Sequence, residues 1–515
     1  MLFLEKLVGR FIRLFDTLLN MAYIFRSHSS HRYLKLVVAV AIMVEIFIAQ
    51  GCQAPQSQAE IGAIRLAESG DSHAKYHLGL TYLNGDGLPK DVAKAVKWIR
   101  KASKYGNTDA QTELGWLYEH GVGVRQSYHL AVEWYRTAAV HGNPQAQCNL
   151  ALMYHGGFGT PHDELQAFTW FSKSAAQSNA QAASWVAWMY MKGIGVAKDS
   201  GMAVKCFLPL AESGDSIAQL NLGNLYFDGD GITRDYERAL YWYSQSADQG
   251  DEAAMNNLGD MYRQGKGVNQ NYAQALFLYF RSAEKDDAFA EFHLGSMYEN
   301  GIGLQKNYKE AASWYLKSAV HNDSDAQNGL GRAYEWGHGV TKDYLKALYW
   351  YQKSADQGNS NGMNNMGRSF RLGIRVSPND VKAALWYARS AALGNMDAQS
   401  NLGWMYLNGK GVSYDPGLAA AWYRKAADQG NGDSQATLGH LYLDGIGVTR
   451  NYSVAIEWLE KAANQGIGTA QYDLGIIYRL GQGVQADEVE AKKWFQKASA
   501  QGNKDAQKAL TDGMK

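Results

Sequence analysis

Apolar and polar positions recur along this chain with a period of 36 residues, from about residue 67 to the C-terminal end. In the unit of residues 325–358, Tyr334 belongs to a column that is Tyr in eleven units and Phe370 in the twelfth. Two other columns, those of Gly337 and Ala347, are unchanged in all twelve units. A fixed period of this length predicts a solenoid, because one unit cannot bury its apolar face alone and stacks on its neighbours.

Each unit predicts two helices separated by a short turn. In residues 325–336, Leu330 and Tyr334 lie on one face of a helix with 3.6 residues per turn. Residues 343–357 form the second helix, with apolar side chains at the same spacing. Gly331 on the first helix lets another helix come close, and this packing offsets the cost of about 1 kcal/mol that Gly carries in a helix interior.

The predicted helix ends carry capping residues. The column of Asp343 holds only Asp, Asn or Ser, whose short side chains accept a hydrogen bond from the first turn of a helix. Gly358 follows the second helix and is predicted to adopt the left-handed conformation that ends a helix. Where its column departs from Gly, the residues are Ser178, Asp286 and Asn322. Asp and Asn are residue types that tolerate this conformation.

Charge and composition limit the possible functions. Lys plus Arg and Asp plus Glu number 50 each, so the formal charge is zero and the chain has no basic footprint for a nucleic acid. Tyr, Trp and Phe make up 12% of the residues, and most of them fall in core columns such as those of Tyr334 and Trp350. We find no spacing of Cys and His typical of a metal site and no motif typical of a cofactor site.

Residues 1–52 differ from the repeats. Residues 33–49 are almost wholly apolar and follow several basic residues, the arrangement of an export signal. The run ends in Ala-Gln-Gly-Cys52, which resembles a bacterial lipobox with Cys52 as the lipidated residue. An uncleaved membrane anchor is the alternative, and translation from Met21 would give a signal of ordinary length. Positive residues before the run place the repeats on the outer side of the membrane, with residues 53–66 as a tether and lead-in.

The repeat pattern resembles a known family. Residues 398–431 and 254–287 carry, nearly whole, the pattern A-Q-x-N-L-G-x-M-Y-x-x-G-x-G-V-x-x-D-Y-x-x-A-x-x-W-Y-x-x-A-A-x-x-G-N. This pattern is similar to that of the Sel-one-like repeat family, relatives of the tetratricopeptide repeats. The resemblance implies an all-α fold, an α-solenoid superhelix of twelve 36-residue helix-turn-helix repeats over residues 67–502 with a capping helix at 503–515. It also implies a scaffold that binds other proteins and, in bacteria, serves envelope regulation, signalling or contact with a host cell.

By similarity to tetratricopeptide arrays, the first helices line the binding groove. Three columns are expected to face it: the residue before the Leu of the Leu-Gly pair, and the residues two and five places after that Leu. The candidate partner-binding residues in these columns are Asn221, Asn257, Asp260, Arg263, Arg332, Asn365, Arg368, Arg371, Trp116, Trp188 and Trp404. Asn amides both donate and accept hydrogen bonds, and exposed Trp and Arg are enriched at interface hot spots.

The arginines have two interpretations. Arg332, Arg368 and Arg371 form a candidate site for an anionic group of the partner, because Arg makes bidentate bonds to carboxylates. Alternatively, these arginines pair with Glu299 and Glu335 on neighbouring helices. The asparagines likewise either hold a peptide backbone of the partner or have a structural role within the array.

Three functions remain. The first is an interaction scaffold anchored in the bacterial envelope, which binds a protein or peptide in its groove. In the second, Trp116, Trp188 and Trp404 stack on the sugar rings of peptidoglycan or another glycan. The third, a cell-wall or β-lactam hydrolase, rests on the S-x-x-K spacing of Ser72 and Lys75, without the S-D-N and K-T-G motifs that accompany it. The resemblance favours the first, since the family has no shared catalytic residues.

Overall fold

The computed structural model describes residues 58–374 and 376–512. Cys52, the rest of the predicted export segment and the start of the predicted tether lie outside the described residues. Within the described part, the regular elements are all helices. None of these helices is both long and apolar enough to cross a membrane. The chain divides into two compact units, with unit 1 ending at Asp199 and unit 2 beginning at Ser200.

Unit 1 contains eight of the described helices. They are α1 (Gln58–Glu68), α2 (Ser72–Asn84), α3 (Val92–Lys104), α4 (Thr108–His120), α5 (Tyr128–Val140), α6 (Pro144–Gly156), α7 (Glu164–Ala175) and α8 (Ala180–Lys192).

Unit 2 contains the remaining described helices. They are α9 (Ser200–Glu212), α10 (Ser216–Asp228), α11 (Tyr236–Asp248), α12 (Glu252–Gln264), α13 (Tyr272–Ala283), α14 (Ala288–Asn300), α15 (Tyr308–Val320), α16 (Ser324–Trp336), α17 (Tyr344–Asp356), α18 (Ser360–Leu372), α19 (Asp380–Ala392), α20 (Met396–Asn408), α21 (Pro416–Asp428), α22 (Gly432–Asp444), α23 (Tyr452–Asn464), α24 (Gly468–Leu480), α25 (Glu488–Ala500) and α26 (Lys504–Asp512). Even-numbered helices from α2 to α24 are the first helices of the repeats, and odd-numbered helices from α3 to α25 are the second.

The predicted helix ends are confirmed to within one residue in the unit at 325–358. The side chain of Asp343 accepts hydrogen bonds from the first turn of α17, at 3.0 Å from Leu345 N and 3.1 Å from Lys346 N. Gly358 adopts the left-handed conformation with φ of 86°. The non-Gly residues with positive φ in the described part are Ser178, Asp286 and Asn322, the three that replace Gly in this column. In this unit, capping chemistry therefore fixes where the second helix begins and ends.

Close packing of the two helices of a repeat requires a small residue in the column of Gly331, which holds Gly in ten repeats and Ala151 and Ala187 in the other two. A Cβ atom placed on Gly331 would lie 2.6 Å from the ring of Tyr351, which is far inside van der Waals contact. The aromatic ring of α17 therefore lies directly against the backbone of α16, as the sequence predicts.

The hydrophobic core runs between repeats as well as within them. Tyr315 and Ala319 of α15 pack with Leu330 of the following helix α16 in one buried cluster. In unit 1, Tyr135 of α5 and Leu150 of α6 form the equivalent cluster. Each second helix is thus covered by the next first helix, as a solenoid requires. The prediction of an all-α solenoid is confirmed.

Helices α1 and α26 lie before and after the repeats. In unit 1, buried Glu60 of α1 accepts hydrogen bonds from Tyr82 Oη at 2.6 Å and from Lys94 Nζ at 2.9 Å. The predicted tether and lead-in at 53–66 therefore contains helix from Gln58 onward. In unit 2, Ala506 of α26 is buried against Phe495 of α25, so α26 covers the last repeat.

Candidate functional site

The candidate residues predicted from the sequence all lie on first helices. Trp116 and Trp188 belong to unit 1, on α4 and α8. The other nine belong to unit 2: Asn221 on α10; Asn257, Asp260 and Arg263 on α12; Arg332 on α16; Asn365, Arg368 and Arg371 on α18; and Trp404 on α20. We call the surface that α10, α12, α14, α16, α18 and α20 present in and next to these columns, including Trp336 at the end of α16, the first-helix wall of unit 2.

Buried tyrosines of the second helices reach the first-helix wall from behind. Tyr315 Oη donates a hydrogen bond of 2.6 Å to Glu299 Oε2, and Tyr351 Oη donates one of 2.6 Å to Glu335 Oε2. In each pair the acid lies on the first helix of the same repeat. Burial raises the pKa of Tyr351, and the charge of Glu335 raises it further, so the phenol remains a proton donor at neutral pH.

Arginines of the following repeat complete these pairs. Arg332 Nη2 lies 2.9 Å from Glu299 Oε2, and Arg368 Nη2 lies 2.5 Å from Glu335 Oε2. Each carboxylate is therefore shared between a tyrosine of its own repeat and an arginine of the next. We call the six residues the acid ladder: Tyr315, Glu299, Arg332, Tyr351, Glu335 and Arg368.

Two of the three arginines form the ion pairs that the second interpretation of the sequence expects. Arg332 and Arg368 pair with Glu299 and Glu335 on neighbouring helices, which is the alternative considered for the sequence. Their side chains are 45% and 29% exposed, whereas that of Glu335 is only 6% exposed. A buried carboxylate needs such compensation, because an unpaired charge is costly to bury. These two arginines therefore hold the array together and also face its surface.

Arg371 differs from the two ladder arginines. It stands 36 residues after Glu335, in the column that holds the acids of the ladder. Its guanidinium lies over the ring of Trp404, 5.2 Å from the ring centroid. Tyr387 Oη, the counterpart of the ladder phenols, has no partner of good hydrogen-bond geometry in the described part of the chain. Burial raises the pKa of Tyr387, but the positive charge of Arg371, its contact with the phenol oxygen and the charge of Arg368 oppose this rise.

Buried hydrogen-bond donors without a partner are concentrated around Arg371 and Tyr387. Nine buried side-chain N or O atoms lack a hydrogen-bond partner within residues 58–374 and 376–512. Three of the nine are Arg368 Nε, Arg371 Nε and Tyr387 Oη. We call Arg368, Arg371, Tyr387 and Trp404 the arginine step.

Arg263, by contrast, has a carboxylate partner in its own repeat. Arg263 stands in the column of Arg371, but Asp260 precedes it by three residues. Arg263 Nη2 lies 2.7 Å from Asp260 Oδ1, and Tyr279 Oη donates to the same oxygen at 2.8 Å. The repeat of α12 therefore supplies its own carboxylate. In the arginine step, both positions are arginine.

The asparagine column lies at the junctions between first helices. Asn365 Nδ2 donates to Asn328 Oδ1 at 2.8 Å, and Asn257 Nδ2 donates to Asn224 Oδ1 at 3.1 Å. Asn221 Nδ2 instead bonds the carbonyl of Ile217 at 2.9 Å, within its own helix. The amides of these asparagines thus bond within the array, which is the structural role considered for the sequence.

The tryptophans have ring neighbours. Trp116 stacks on His120 with 4.4 Å between ring centroids, and Trp188 meets Trp185 edge to face at 5.5 Å. Trp404 is in cation–π contact with Arg371, as described above, and is 37% exposed. Within the described residues, no group of His, Cys, Asp and Glu is placed to hold a metal ion.

Sequence reasoning missed two parts of this site. The hydrogen-bonding role of Tyr315 and Tyr351 was missed, although Glu299 and Glu335 each precede the tyrosine by 16 residues, as Glu119 precedes Tyr135 in unit 1. Trp336 was also missed. It ends α16, is 55% exposed and lies under Arg368, whose guanidinium is 5.7 Å from the ring centroid.

A family model for the Sel1 repeat matches this chain in twelve successive segments. They are residues 72–107, 108–143, 144–179, 180–215, 216–251, 252–287, 288–322, 324–359, 360–395, 397–431, 432–467 and 468–503. The count and period agree with the repeats predicted from the sequence.

Two solved structures are similar to this chain, and the first of them agrees with the family model. The protein c5321, a protective antigen present in uropathogenic Escherichia coli strains and displaying an SLR fold, is 36% identical. The match covers 87% of this chain and 96% of that chain, with a TM-score of 0.63. A Sel1 repeat protein from Oxalobacter formigenes is 31% identical, over 61% of this chain and 94% of that chain, with a TM-score of 0.48. Among curated proteins, no match is found. The repeat spacing, the family model and the similarity to c5321 agree, and this chain belongs to the Sel1 repeat family.

Proposed function

We propose that this chain is a non-catalytic scaffold that binds a protein partner on the first-helix wall of unit 2. Sel1 repeat proteins generally mediate protein–protein interaction and are generally not enzymes. The more specific part of the proposal, that the partner binds to the first-helix wall of unit 2, rests on the geometry of that wall. The proposal also places the chain in the bacterial envelope, held there by its N-terminal segment, on the basis of the sequence at 33–52.

The observation that carries the proposal is the exposure of large side chains on this wall. Trp336 and Trp404 are 55% and 37% exposed, and the side chain of Arg332, on the same helix as Trp336, is 45% exposed. Trp and Arg contribute the largest binding energies at protein interfaces, because they bury much area and form several hydrogen bonds. Each residue is held in place by a ladder or cation–π contact, so little conformational entropy is lost on binding.

A photocrosslink in intact cells tests this proposal. Benzoylphenylalanine placed at Trp336 reports on the first-helix wall, and the same residue at Tyr349 on the second helix α17 is the matched control. The two native side chains are both aromatic and are 55% and 54% exposed. A discrete protein adduct from position 336 and none from position 349 would support the proposal. Equal adducts from both positions, or none from position 336 in the folded protein, would contradict it.

Glycan binding through Trp116, Trp188 and Trp404 stays a prediction and is the alternative function. Sugar rings bind to the open face of an indole. Because each of these rings has a neighbour, as described above, less of its face is open than the sequence suggests. Retention on purified peptidoglycan that is lost when Trp116 and Trp188 are both changed to Ala would favour this alternative over the protein scaffold.

A further inference from the structure

We propose that the arginine step binds a carboxylate group of the protein partner, in the place that Glu299 and Glu335 occupy in the two preceding repeats. This inference rests on the proposed function and specifies the chemistry of the group that is bound. The occupant is an Asp or Glu side chain, or a chain-terminal carboxylate, that reaches Arg371, Arg368 and Tyr387 from the first-helix wall.

Comparison with the acid ladder shows that the repeat of Tyr387 lacks a carboxylate in the ladder column. In the repeats of Tyr315 and Tyr351, the phenol donates to a carboxylate that an arginine also binds. In the repeat of Tyr387, the column of that carboxylate holds Arg371. A phenol that is fully buried therefore faces a second donor instead of an acceptor.

The unsatisfied atoms specify the chemistry of the occupant. Arg368 Nε, Arg371 Nε and Tyr387 Oη carry hydrogens and are buried without partners in the described part of the chain. A group that satisfies them must be an acceptor. Because these are donors at fixed positions and two of them are cationic, a planar anion is the best fit, and Arg binds a carboxylate with two parallel bonds.

The charges around the arginine step favour a bound group with a single negative charge. Arg368 is balanced by Glu335 at 2.5 Å, so Arg371 is the uncompensated cation of the step. Arg263, in the same column, is neutralised by Asp260. One carboxylate would give the arginine step the charge balance that the repeat of α12 already has.

The arginine step is accessible from the wall. The side chain of Arg368 is 29% exposed, and Arg371 is half-buried over Trp404. Trp404 and Trp336 lie on either side, each in cation–π contact with one of the two arginines. A carboxylate can therefore approach the guanidinium ends between two exposed indoles. In this proposal Arg371 must rotate for the carboxylate to reach the buried hydroxyl of Tyr387.

The decisive variant is Arg371→Glu in the full chain. A Glu at position 371 restores the acid of the ladder column, so it accepts from Tyr387 without any ligand, although the next repeat holds Trp404 where the ladder has an arginine. We expect hydrogen exchange in α18 and α19 to slow by about tenfold or more relative to the wild type, because a buried phenol gains a charged acceptor and the cation of Arg371 is removed from beside Arg368. Arg371→Gln supplies no charge and is expected not to slow exchange.

Small anions test binding directly. In the wild type, acetate is expected to slow exchange in α18 and α19 relative to chloride at equal ionic strength, and Arg371→Glu and Arg371→Gln are expected to lose this effect. The matched control is Arg389→Gln, which removes an exposed arginine from α19 on the second-helix side and is expected to keep it. Protection by inorganic phosphate without protection by acetate would overturn the assignment to a carboxylate.

Two further outcomes separate this inference from the proposed function. If the partner still crosslinks at position 336 with unchanged yield in Arg371→Glu, the wall binds a protein but the carboxylate site is wrong. If acetate protects α18 in the wild type but no protein crosslinks at position 336, the carboxylate site stands and the protein scaffold does not. Faster exchange in Arg371→Glu than in the wild type would also overturn the inference.

Discussion

Tyr351 donates a hydrogen bond of 2.6 Å to Glu335, and the bond joins the two helices of one repeat. Arg368 of the next repeat donates to the same oxygen, Oε2, at 2.5 Å. One carboxylate oxygen thus connects α16, α17 and α18. Because the side chain of Glu335 is only 6% exposed, these two donors replace most of the water that a carboxylate normally binds.

The Tyr351→Phe variant should show how much this bond contributes. We expect the free energy of unfolding to fall by about 2 kcal/mol, because the variant loses a buried hydrogen bond to a charged group. Urea denaturation followed by Trp fluorescence measures the change. The control is Tyr423→Phe, since the columns that supply the acid hold Trp404 and Leu407 in that repeat. Equal losses in the two variants would show that the carboxylate bond adds nothing beyond burial of the phenol.

Gly331→Ala tests the close approach of the two helices. The added Cβ would lie 2.6 Å from the ring of Tyr351, so we expect a loss of about 1–3 kcal/mol in the free energy of unfolding. Gly468 provides the matched control, because it also lies in a first helix but has its nearest neighbouring atom at 3.7 Å. Gly468→Ala is expected to be neutral or slightly stabilising, as Ala favours helix more than Gly. A stable Gly331→Ala protein would mean that the tyrosine ring moves away freely.

The attachment of α1 should depend on pH. Hydrogen bonds from Tyr82 and Lys94 lower the pKa of Glu60 from its ordinary value of 4.5. Because the folded protein holds the carboxylate more acidic than the unfolded chain does, this contribution is fully present above about pH 4.5 and is lost as the pH falls through the folded pKa. Hydrogen exchange in α1 is expected to accelerate in acid before that in α2. Glu60→Gln should remove the pH dependence, and an unchanged pH profile in that variant would assign it to another group.

Cys52→Ala tests the location expected from the sequence. If Cys52 is lipidated, metabolic labelling with an alkyne fatty acid marks the wild-type chain, and the variant is unmarked and moves from the membrane fraction to the soluble fraction. An unmarked wild type that stays in the membrane fraction would support the uncleaved anchor instead.

The repeat period and the helix ends are predictable from the sequence because they depend on local chemistry. Asp343 caps a helix, and Ser178, Asp286 and Asn322 replace Gly at a left-handed position, whatever the neighbouring repeats contain. Such features need no knowledge of which helices touch. The sequence therefore predicts the fold class and the first helices as the location of the candidate residues.

The acid ladder is not predictable in the same way. It depends on the offset between successive first helices, which brings Arg332 next to Glu299 across 33 residues instead of 36. The period alone does not give this offset, so the sequence leaves both pairing with Glu299 and binding to a partner open for Arg332. The hydrogen bonds of the phenols are also not predictable, because a column of Tyr has the pattern of an apolar core and does not show where its hydroxyl groups lie.

The shared carboxylates also determine where this protein can be shortened. A chain that ended at residue 359 would keep Glu335 but lose Arg368, and the carboxylate would depend on Tyr351 alone. A chain that ended at residue 395 would keep both ladder acids with their arginines and would lose only Trp404 from the arginine step. The 36-residue period makes every repeat border look alike, but the borders differ in the ion pairs that cross them. Residues 288–395 form a fragment that can be excised without breaking an ion pair of the acid ladder.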